Sequence, residues 1–194
     1  TLHALEGEID EALKSWSAAL AIYERENKYT RVARLYVDIA NLRRQVGQWK
    51  RAMKDYEKAL ETLSRVDDRE IRGFVMASAA TAYVDHGDVT TAEAFFTESI
   101  QIAAEMHDRQ AEATRRGNYG WFLLSTGRTD KALAELAVAV RQSGMLGLTL
   151  QVAVQTDNIG LVYDARSEFQ SALEKHRQAL AMLHDLEQPH WEAV

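Results

Sequence analysis

The sequence predicts an all-α fold, a right-handed superhelical solenoid built from antiparallel helix pairs. The first observation behind this prediction is that glycines recur every 40 residues, at Gly7, Gly47, Gly87 and Gly127. The second is that an alanine follows each of these glycines by five residues, and the third is that amphipathic helical patterns fill the intervals. A fixed period of this length is typical of arrays in which each repeat packs mainly on its neighbours.

The composition agrees with nearly continuous helix. Hydrophobic residues make up 46% of the chain and charged residues 27%, which is ordinary for a folded protein. Pro189 is the only proline, and no stretch rich in glycine and serine offers a linker.

The helices of one repeat can be read from the spacing of apolar residues. The first helix carries apolar residues three and four positions apart, at Val32, Leu35, Tyr36, Ile39, Leu42 and Val46. We expect Gly47 to end this helix in the left-handed conformation, which glycine adopts without a Cβ clash. The second helix presents one face made of Ala52, Met53, Tyr56, Ala59, Leu60 and Leu63. Asp67 and Asp68 are candidate N-caps for the next helix.

Applied to the whole chain, the period predicts a single array over residues 1–194. Its parts are a partial repeat at 1–26, repeats at 29–66, 69–106, 109–146 and 149–186, and the start of a further repeat at 188–194. Thr1 aligns with Asn41, in mid-helix, so we expect the chain to be a fragment of a longer repeat protein. Such a cut would expose apolar helix faces, namely Leu2, Leu5, Ile9 and Leu13, and allow self-association through the terminal helices.

Small residues mark a position of close approach. Ala40, Ala80, Gly120 and Gly160 share one position of the first helix. Because glycine inside a helix costs about 1 kcal/mol relative to alanine, we expect a neighbouring backbone to pass very close to Gly120 and Gly160. Large residues share one position of the second helix, at Trp16, Tyr56, Phe96 and Leu136, with His176 as a departure.

These motifs resemble a known family. Residues 52–59, Ala-Met-Lys-Asp-Tyr-Glu-Lys-Ala, resemble the second-helix signature of the tetratricopeptide repeat, and Asn118-Tyr119-Gly120 and residues 158–163 resemble its first-helix signature. The usual period is about 34 residues, so we predict a variant with a 40-residue period. Such longer repeats are similar to those of spindle-orientation scaffolds and of bacterial signalling ATPases and transcription activators of the maltose-regulon type.

The resemblance implies a concave groove lined by the first helices. In the repeat at 29–66 the implied groove residues are Arg34, Val37, Asp38, Asn41, Arg44 and Gln45. The next repeat contributes Phe74, Ser78, Thr81, Val84 and Asp85. The last two contribute Thr114, Asn118, Trp121, Leu124 and Ser125, and then Val154, Asp157, Asn158, Leu161 and Asp164.

Two features of this surface favour peptide binding. Asp38, Ser78, Asn118 and Asn158 form a polar row with one member in each repeat, and a carboxamide can both donate to and accept from an extended peptide backbone. Trp121 is a candidate aromatic anchor. The alternative is that the asparagines tie neighbouring first helices together and that Trp121 packs between repeats.

Several functional classes are excluded or disfavoured. The absence of cysteine excludes disulfides, thiolate catalysis and cysteine-ligated metals. The six histidines show no metal-binding spacing, and there is no nucleophile elbow or phosphate loop, so we predict no catalytic residue, no cofactor and no metal site. A net charge of −6 argues against direct nucleic-acid binding, and no apolar run approaches the ~20 residues of a membrane span.

The sequence therefore predicts a non-enzymatic scaffold that binds a peptide or protein segment in the groove, with a cytoplasmic location. The alternative is an effector-sensing repeat module of a larger bacterial signalling ATPase or transcription activator.

Overall fold

The computed structural model describes residues 2–187, together with the side chains of Ile9 and of residues 11–186. Within residues 2–187 the chain forms nine α-helices and no β-strand. The helices are α1 Leu2–Arg25, α2 Tyr29–Gln45, α3 Trp49–Leu63, α4 Arg69–His86, α5 Val89–Glu105, α6 Arg109–Ser125, α7 Thr129–Met145, α8 Thr149–Ala165 and α9 Phe169–Glu187. The predicted start of a further repeat at 188–194 lies outside the described residues, as do the side chains of Leu2 and Leu5.

The helices recur at a constant interval. The first helices of the predicted repeats begin at Tyr29, Arg69, Arg109 and Thr149, each 40 residues after the one before. Their partners α3, α5, α7 and α9 begin 20 residues later in each case. Whether these repeats form a distinct long-period variant of a known family stays a prediction.

The turns inside the helix pairs depend on one left-handed residue. Gly47 has φ +75°, as predicted, and Gly87 and Gly127 have φ +85° and +75°. Ser167, which replaces the glycine in the last turn, adopts the same conformation at φ +60°. The backbone geometry of the turn is therefore kept even where the residue type changes, at the steric cost that a Cβ carries in this region.

Residues 2–187 divide into two compact bodies, an N-terminal body that ends at Ile102 and a C-terminal body that begins at Ala103. In the N-terminal body, α2 packs against α1, α3 and α4. Its core is built from the apolar stripes of these helices, with Val32, Tyr36, Val37, Tyr56, Ile71 and Val75 among the buried residues. The predicted apolar faces of α2 and α3 are buried in large part, but Val46 is 37% exposed. Val46 is the C-cap of α2, where the helix ends and the stripe is only partly covered.

Helix α4 starts at a capped end. Asp68 accepts a hydrogen bond from the backbone N–H of Ile71 (3.1 Å), and its other carboxylate oxygen accepts one from the Thr30 hydroxyl on α2 (2.8 Å). Of the two predicted cap candidates, Asp68 is thus the N-cap. Its carboxylate joins the start of α4 to the start of α2.

In the C-terminal body, α6 packs on α7, α7 on α8, and α8 on α9, while α6 and α8 also touch. The close approach at Gly120 comes from a side chain: a Cβ there would lie 2.6 Å from Leu136 Cγ. At Gly160 it would lie 2.6–2.9 Å from the His176 ring. The nearest atoms at both glycines therefore belong to a side chain of the second helix rather than to a backbone, although the Ala132 carbonyl oxygen also lies 3.4 Å from the Cβ position at Gly120.

A buried polar group holds α6, α7 and α8 together. Gln155, on α8, donates from Nε2 to the carbonyl oxygen of Ala113 on α6 (3.4 Å). Its Oε1 accepts from the hydroxyl of Ser143 on α7 (3.2 Å). A Cβ at position 117 would lie 2.8 Å from the same Nε2, so Gly117 leaves room for this amide. The network positions the first helices α6 and α8 side by side.

Candidate functional site

The candidate site is the exposed face of the first helices, called here the first-helix surface. In the N-terminal body it belongs to α2 and α4, and in the C-terminal body to α6 and α8. The opposite faces of these helices are buried in the cores described above. The two bodies differ in how many side chains of this surface are already engaged.

In the N-terminal body, the part of the surface near the starts of α2 and α4 is engaged in contacts between these two helices. The Arg34 guanidinium pairs with Glu70 at 3.3 Å and lies over the Phe74 ring at 5.6 Å from its centroid. Phe74 is 36% exposed. Desolvation raises the pKa of Asp38, one turn further along α2, and Arg34 partly opposes this shift.

The part of this surface near the ends of α2 and α4 is also engaged in contacts within the protein. Arg44 on α2 pairs with Asp85 on α4 at 2.5 Å. The Tyr56 hydroxyl, on α3, donates to Asn41 Oδ1 at 2.6 Å. Burial raises the pKa of Tyr56 to about 12, so this hydroxyl stays protonated over the physiological range. The Asn41 oxygen therefore already accepts a hydrogen bond from within the protein.

Three further predicted positions in this body offer little to a ligand. The hydroxyl of Ser78 donates to the carbonyl of Phe74 (3.0 Å) and that of Thr81 to the carbonyl of Ala77 (3.4 Å). Val37, which the resemblance placed in the groove, is fully buried. Its inclusion was wrong, because this position of α2 contributes to the core that α2 forms with α4.

The C-terminal body presents an open first-helix surface. Asn118 is exposed on α6 and Asn158 is half-buried on α8, and within residues 2–187 neither side-chain amide forms a hydrogen bond. Trp121, one turn after Asn118, is 49% exposed. Leu161 is half-buried one turn after Asn158. This surface thus combines uncommitted amides with exposed apolar area.

Apolar exposure continues along α8. Val154 is 51% exposed and Leu150 is 59% exposed. They lie one turn apart and lead toward Asn158 along the helix. A large apolar area beside unpaired carboxamides is unusual for a surface that faces only water.

His176, on α9, contacts two residues of this surface. Its Nδ1 lies 2.7 Å from Asp157 Oδ1 and its Nε2 lies 3.1 Å from Asp164 Oδ2. Both carboxylates belong to predicted groove positions of α8. The sequence pattern marked His176 as a departure at a packing position without assigning it a role. The sequence did contain a signal for this contact, because the histidine occupies the position that faces Gly160 and an aspartate lies one turn to either side of that glycine.

The electrostatics of this cluster favour a charged imidazole. The hydrogen bonds to Asp157 and Asp164 raise the pKa of His176, and burial of the ring partly opposes them. A neutral imidazole has only one N–H, so it cannot donate to both carboxylates. A carboxylate oxygen beside each ring nitrogen therefore favours the imidazolium form.

One cavity of about 230 Å³ in the N-terminal body is lined by residues of α2, α3 and α4. Trp49 and His86 are part of its lining, and their rings stack with centroids 3.9 Å apart. The Arg44–Asp85 ion pair forms another part of its lining. No predicted peptide contact other than Arg44 and Asp85 reaches this cavity.

Metal binding and membrane crossing find no support in the described helices. In this part of the chain, no group of three or more histidine, aspartate or glutamate side chains is placed to hold a metal ion. No helix between residues 2 and 187 combines the length and apolarity that a bilayer crossing requires.

The described helices form pairs at a constant spacing, and the first helices present an exposed face. This arrangement defines an all-α repeat protein with a surface suited to macromolecular contacts. The model of the tetratricopeptide repeat matches residues 1–65 and 31–105, and a second model of the same repeat matches residues 156–189. The chain belongs to the tetratricopeptide repeat family. The predicted fold class, an all-α repeat solenoid of helix pairs, is confirmed.

Solved structures agree with this assignment. BtubC (BKLC) from P. vanneervenii superposes with a TM-score of 0.84 at 20% identity, over 100% of this chain and 80% of that one. A protein of Podosopora anserina, described provisionally as a kinesin light chain with nearly identical TPR-like repeats, gives 0.75 at 16% identity over 95% and 91%. Aspartyl phosphate phosphatase F from Bacillus subtilis gives 0.70 at 16% identity, over 94% of this chain and 51% of that one.

At these identities the likeness shows the fold alone. No curated protein matches the sequence. The function must therefore be inferred from this chain's own surface.

Proposed function

We propose that this protein is a non-enzymatic scaffold that binds an extended peptide or protein segment along its first-helix surface, with α6 and α8 making the main contacts. The tetratricopeptide repeat fold supports the general role of a protein-interaction scaffold. The finer assignment, to a peptide on α6 and α8, is the proposal. A cytoplasmic location stays a prediction.

The observation that carries the proposal is the pair of uncommitted amides beside an exposed tryptophan. Each of Asn118 and Asn158 can donate to a peptide carbonyl and accept from a peptide N–H. A peptide that covered the exposed half of Trp121 would remove about 100 Å² of apolar surface from water, which is on the order of 2–3 kcal/mol. These terms favour binding and partly offset the entropy that a peptide loses on association.

Replacing both asparagines with alanine tests the proposal. A peptide is first selected from a random displayed library on the wild-type protein. We expect the double variant N118A/N158A to bind it at least tenfold more weakly, since each lost hydrogen bond is worth about 1 kcal/mol. Affinity is measured by fluorescence anisotropy of the labelled peptide, and helicity by circular dichroism.

The matched control is the double variant K131A/Q170A, which removes exposed polar side chains from the second helices α7 and α9. It should bind as the wild type does. Unchanged affinity in N118A/N158A, or a loss confined to K131A/Q170A, would reject the first-helix surface as the binding site.

A second candidate role is that of an effector-sensing module within a longer protein. The observation in its favour is that this chain spans only about half of aspartyl phosphate phosphatase F, at 51% of that chain, so an array of this kind can form one part of a longer protein. The full reading frame decides between the roles. A flanking nucleotide-binding or DNA-binding domain would favour the module, and a reading frame made of repeats alone would favour the scaffold.

A further inference from the structure

We propose that the C-terminal body selects peptides that carry a lysine or arginine, and that His176 regulates this preference by competing for the carboxylates of Asp157 and Asp164. This inference rests on the proposed function. It adds the charge class of the partner and a means of control.

The charged side chains at the predicted groove positions of the C-terminal body are all acidic. The groove positions of α6 and α8 include two carboxylates, Asp157 and Asp164, and neither lysine nor arginine. The side chains of these two aspartates are 50% and 45% exposed. Arg166, at the end of α8, forms ion pairs with Asp130 and Glu168 and so does not neutralise them. A basic peptide side chain complements this surface, and an acidic one is repelled.

The histidine ring lies between the two carboxylates and contacts both. Asp157 and Asp164 are seven residues apart, two turns of α8, or about 10.5 Å along the axis. Gly160 lies midway, and its missing Cβ provides the space for the ring. Leu136 fills the equivalent space against Gly120 in the preceding pair, so packing alone does not require a titratable residue here.

The charged groups that face the ring come mainly from α8. Among the described residues, α9 packs against α8 alone, and Asp157 and Asp164 are the charged groups of α8 that act on the imidazole. On α9 itself, Gln178 bonds both Lys175 (3.0 Å) and Glu174 (3.1 Å). The protonation of His176 is therefore controlled mainly by the two aspartates.

The consequence is a change in available charge with pH. With the imidazole protonated, the cluster carries a net charge of −1 and both carboxylates are occupied. With it neutral, the cluster carries −2 and at least one carboxylate loses its partner. Raising the pH through the titration of His176 therefore makes the surface more attractive to a cationic side chain.

The test uses degenerate decapeptide pools with one central position fixed as lysine or as glutamate, bound to the whole chain at pH 6 and pH 8.5. At pH 8.5 we expect the lysine pool to bind about five- to tenfold more tightly than the glutamate pool, because lysine gains one partly exposed ion pair and glutamate meets a like charge. At pH 6 the preference should fall to about twofold or less. The variant H176L, which copies the Leu136–Gly120 contact, should keep the full lysine preference at both pH values.

The double variant D157N/D164N provides an independent check that does not depend on packing at position 176. It should lose the lysine preference at both pH values while still binding peptide.

Equal binding of the two pools to the wild type at pH 8.5, or a pH dependence that persists in H176L, would overturn the inference. If the pools bind equally but N118A/N158A weakens both, the inference fails and the proposed function stands. Failure of every pool to bind would overturn both.

Discussion

Single residues decide how closely the paired helices of the C-terminal body approach. Gly120 and Gly160 occupy the same repeat position, and each faces a large side chain of the second helix, Leu136 and His176. The contact at Gly160 has a second role, because the ring that it admits also bonds two carboxylates on the exposed face of α8. One small residue thus links core packing to surface charge.

Gly160→Ala should destabilise the protein. Alanine favours helix by about 1 kcal/mol over glycine, but its Cβ would lie 2.6–2.9 Å from the His176 ring, and overpacking of this kind typically costs about 1–3 kcal/mol. The two terms leave a net loss of up to about 2 kcal/mol in the free energy of unfolding, which is measured in urea. Gly144→Ala is the matched control. It lies in α7 with nothing within 4 Å of the added Cβ, and it should be neutral or stabilising by about 0.5–1 kcal/mol. Equal effects of the two substitutions would contradict this explanation of Gly160.

The stability of the protein should depend on pH through His176. The folded-state pKa of this histidine is raised above its ordinary value of 6.5 by its bonds to Asp157 and Asp164. The stabilisation is therefore fully present below pH 6.5 and is lost as the pH rises through the folded-state pKa. We expect the melting temperature to fall between pH 6 and pH 8.5 by more in the wild type than in H176L. Parallel melting curves over this range would show that the cluster does not contribute.

At the scale of one element, α4 shows how a helix start and a contact between repeats can share one side chain. The Asp68 carboxylate caps α4 through the N–H of Ile71 and also accepts from Thr30 on α2. The neighbouring Asp67 is exposed and lies outside the helix. The sequence offered both aspartates as caps, and only the structure distinguishes them.

Asp68→Ala should reduce the free energy of unfolding by about 1–2 kcal/mol, since it removes an N-cap and a hydrogen bond between helices. Asp67→Ala, one residue away and of the same chemistry, should change it by less than about 0.5 kcal/mol. Both values follow from urea denaturation monitored by circular dichroism. A larger loss at position 67 than at position 68 would show that the cap has been assigned to the wrong residue.

The helices themselves could be predicted from the sequence because they depend on local rules. The Gly47 turn was predicted with its conformation, since a left-handed residue commonly ends a helix. Ser167 shows the limit of that rule, because it adopts the glycine-like conformation without being glycine. Val46 shows another limit, because the apolar pattern continues to the end of the helix, where this side chain is only partly covered.

At the scale of the whole molecule, the two bodies present different first-helix surfaces. In the N-terminal body, pairs such as Arg34–Glu70 and Arg44–Asp85 occupy the charged groups. In the C-terminal body, Asn118 and Asn158 make no side-chain hydrogen bond among the described residues, and Trp121 is half exposed. If a peptide binds where side chains are open to it, α6 and α8 should contribute more than α2 and α4.

This difference could not be predicted from the sequence. Positions in the groove follow from the repeat register, so the candidate residues could be named. Their partners could not, because Arg44 and Asp85 are 41 residues apart and their pairing depends on the rotamers of long side chains. His176 differs, because the repeat register places it opposite Gly160, and the two aspartates that it contacts lie one turn to either side of that glycine.

The most direct test of the central claim is to map a selected peptide onto the whole chain by amide chemical-shift perturbation. We predict that titration with the library-selected peptide shifts the backbone signals of α6 and α8 and the side-chain signals of Asn118, Asn158 and Trp121, while exposed positions of α7 and α9 such as Lys131 and Gln170 remain unchanged. Perturbations concentrated on α7 and α9, with the signals of Asn118 and Trp121 unmoved at saturation, would contradict the claim that the first-helix surface binds the partner.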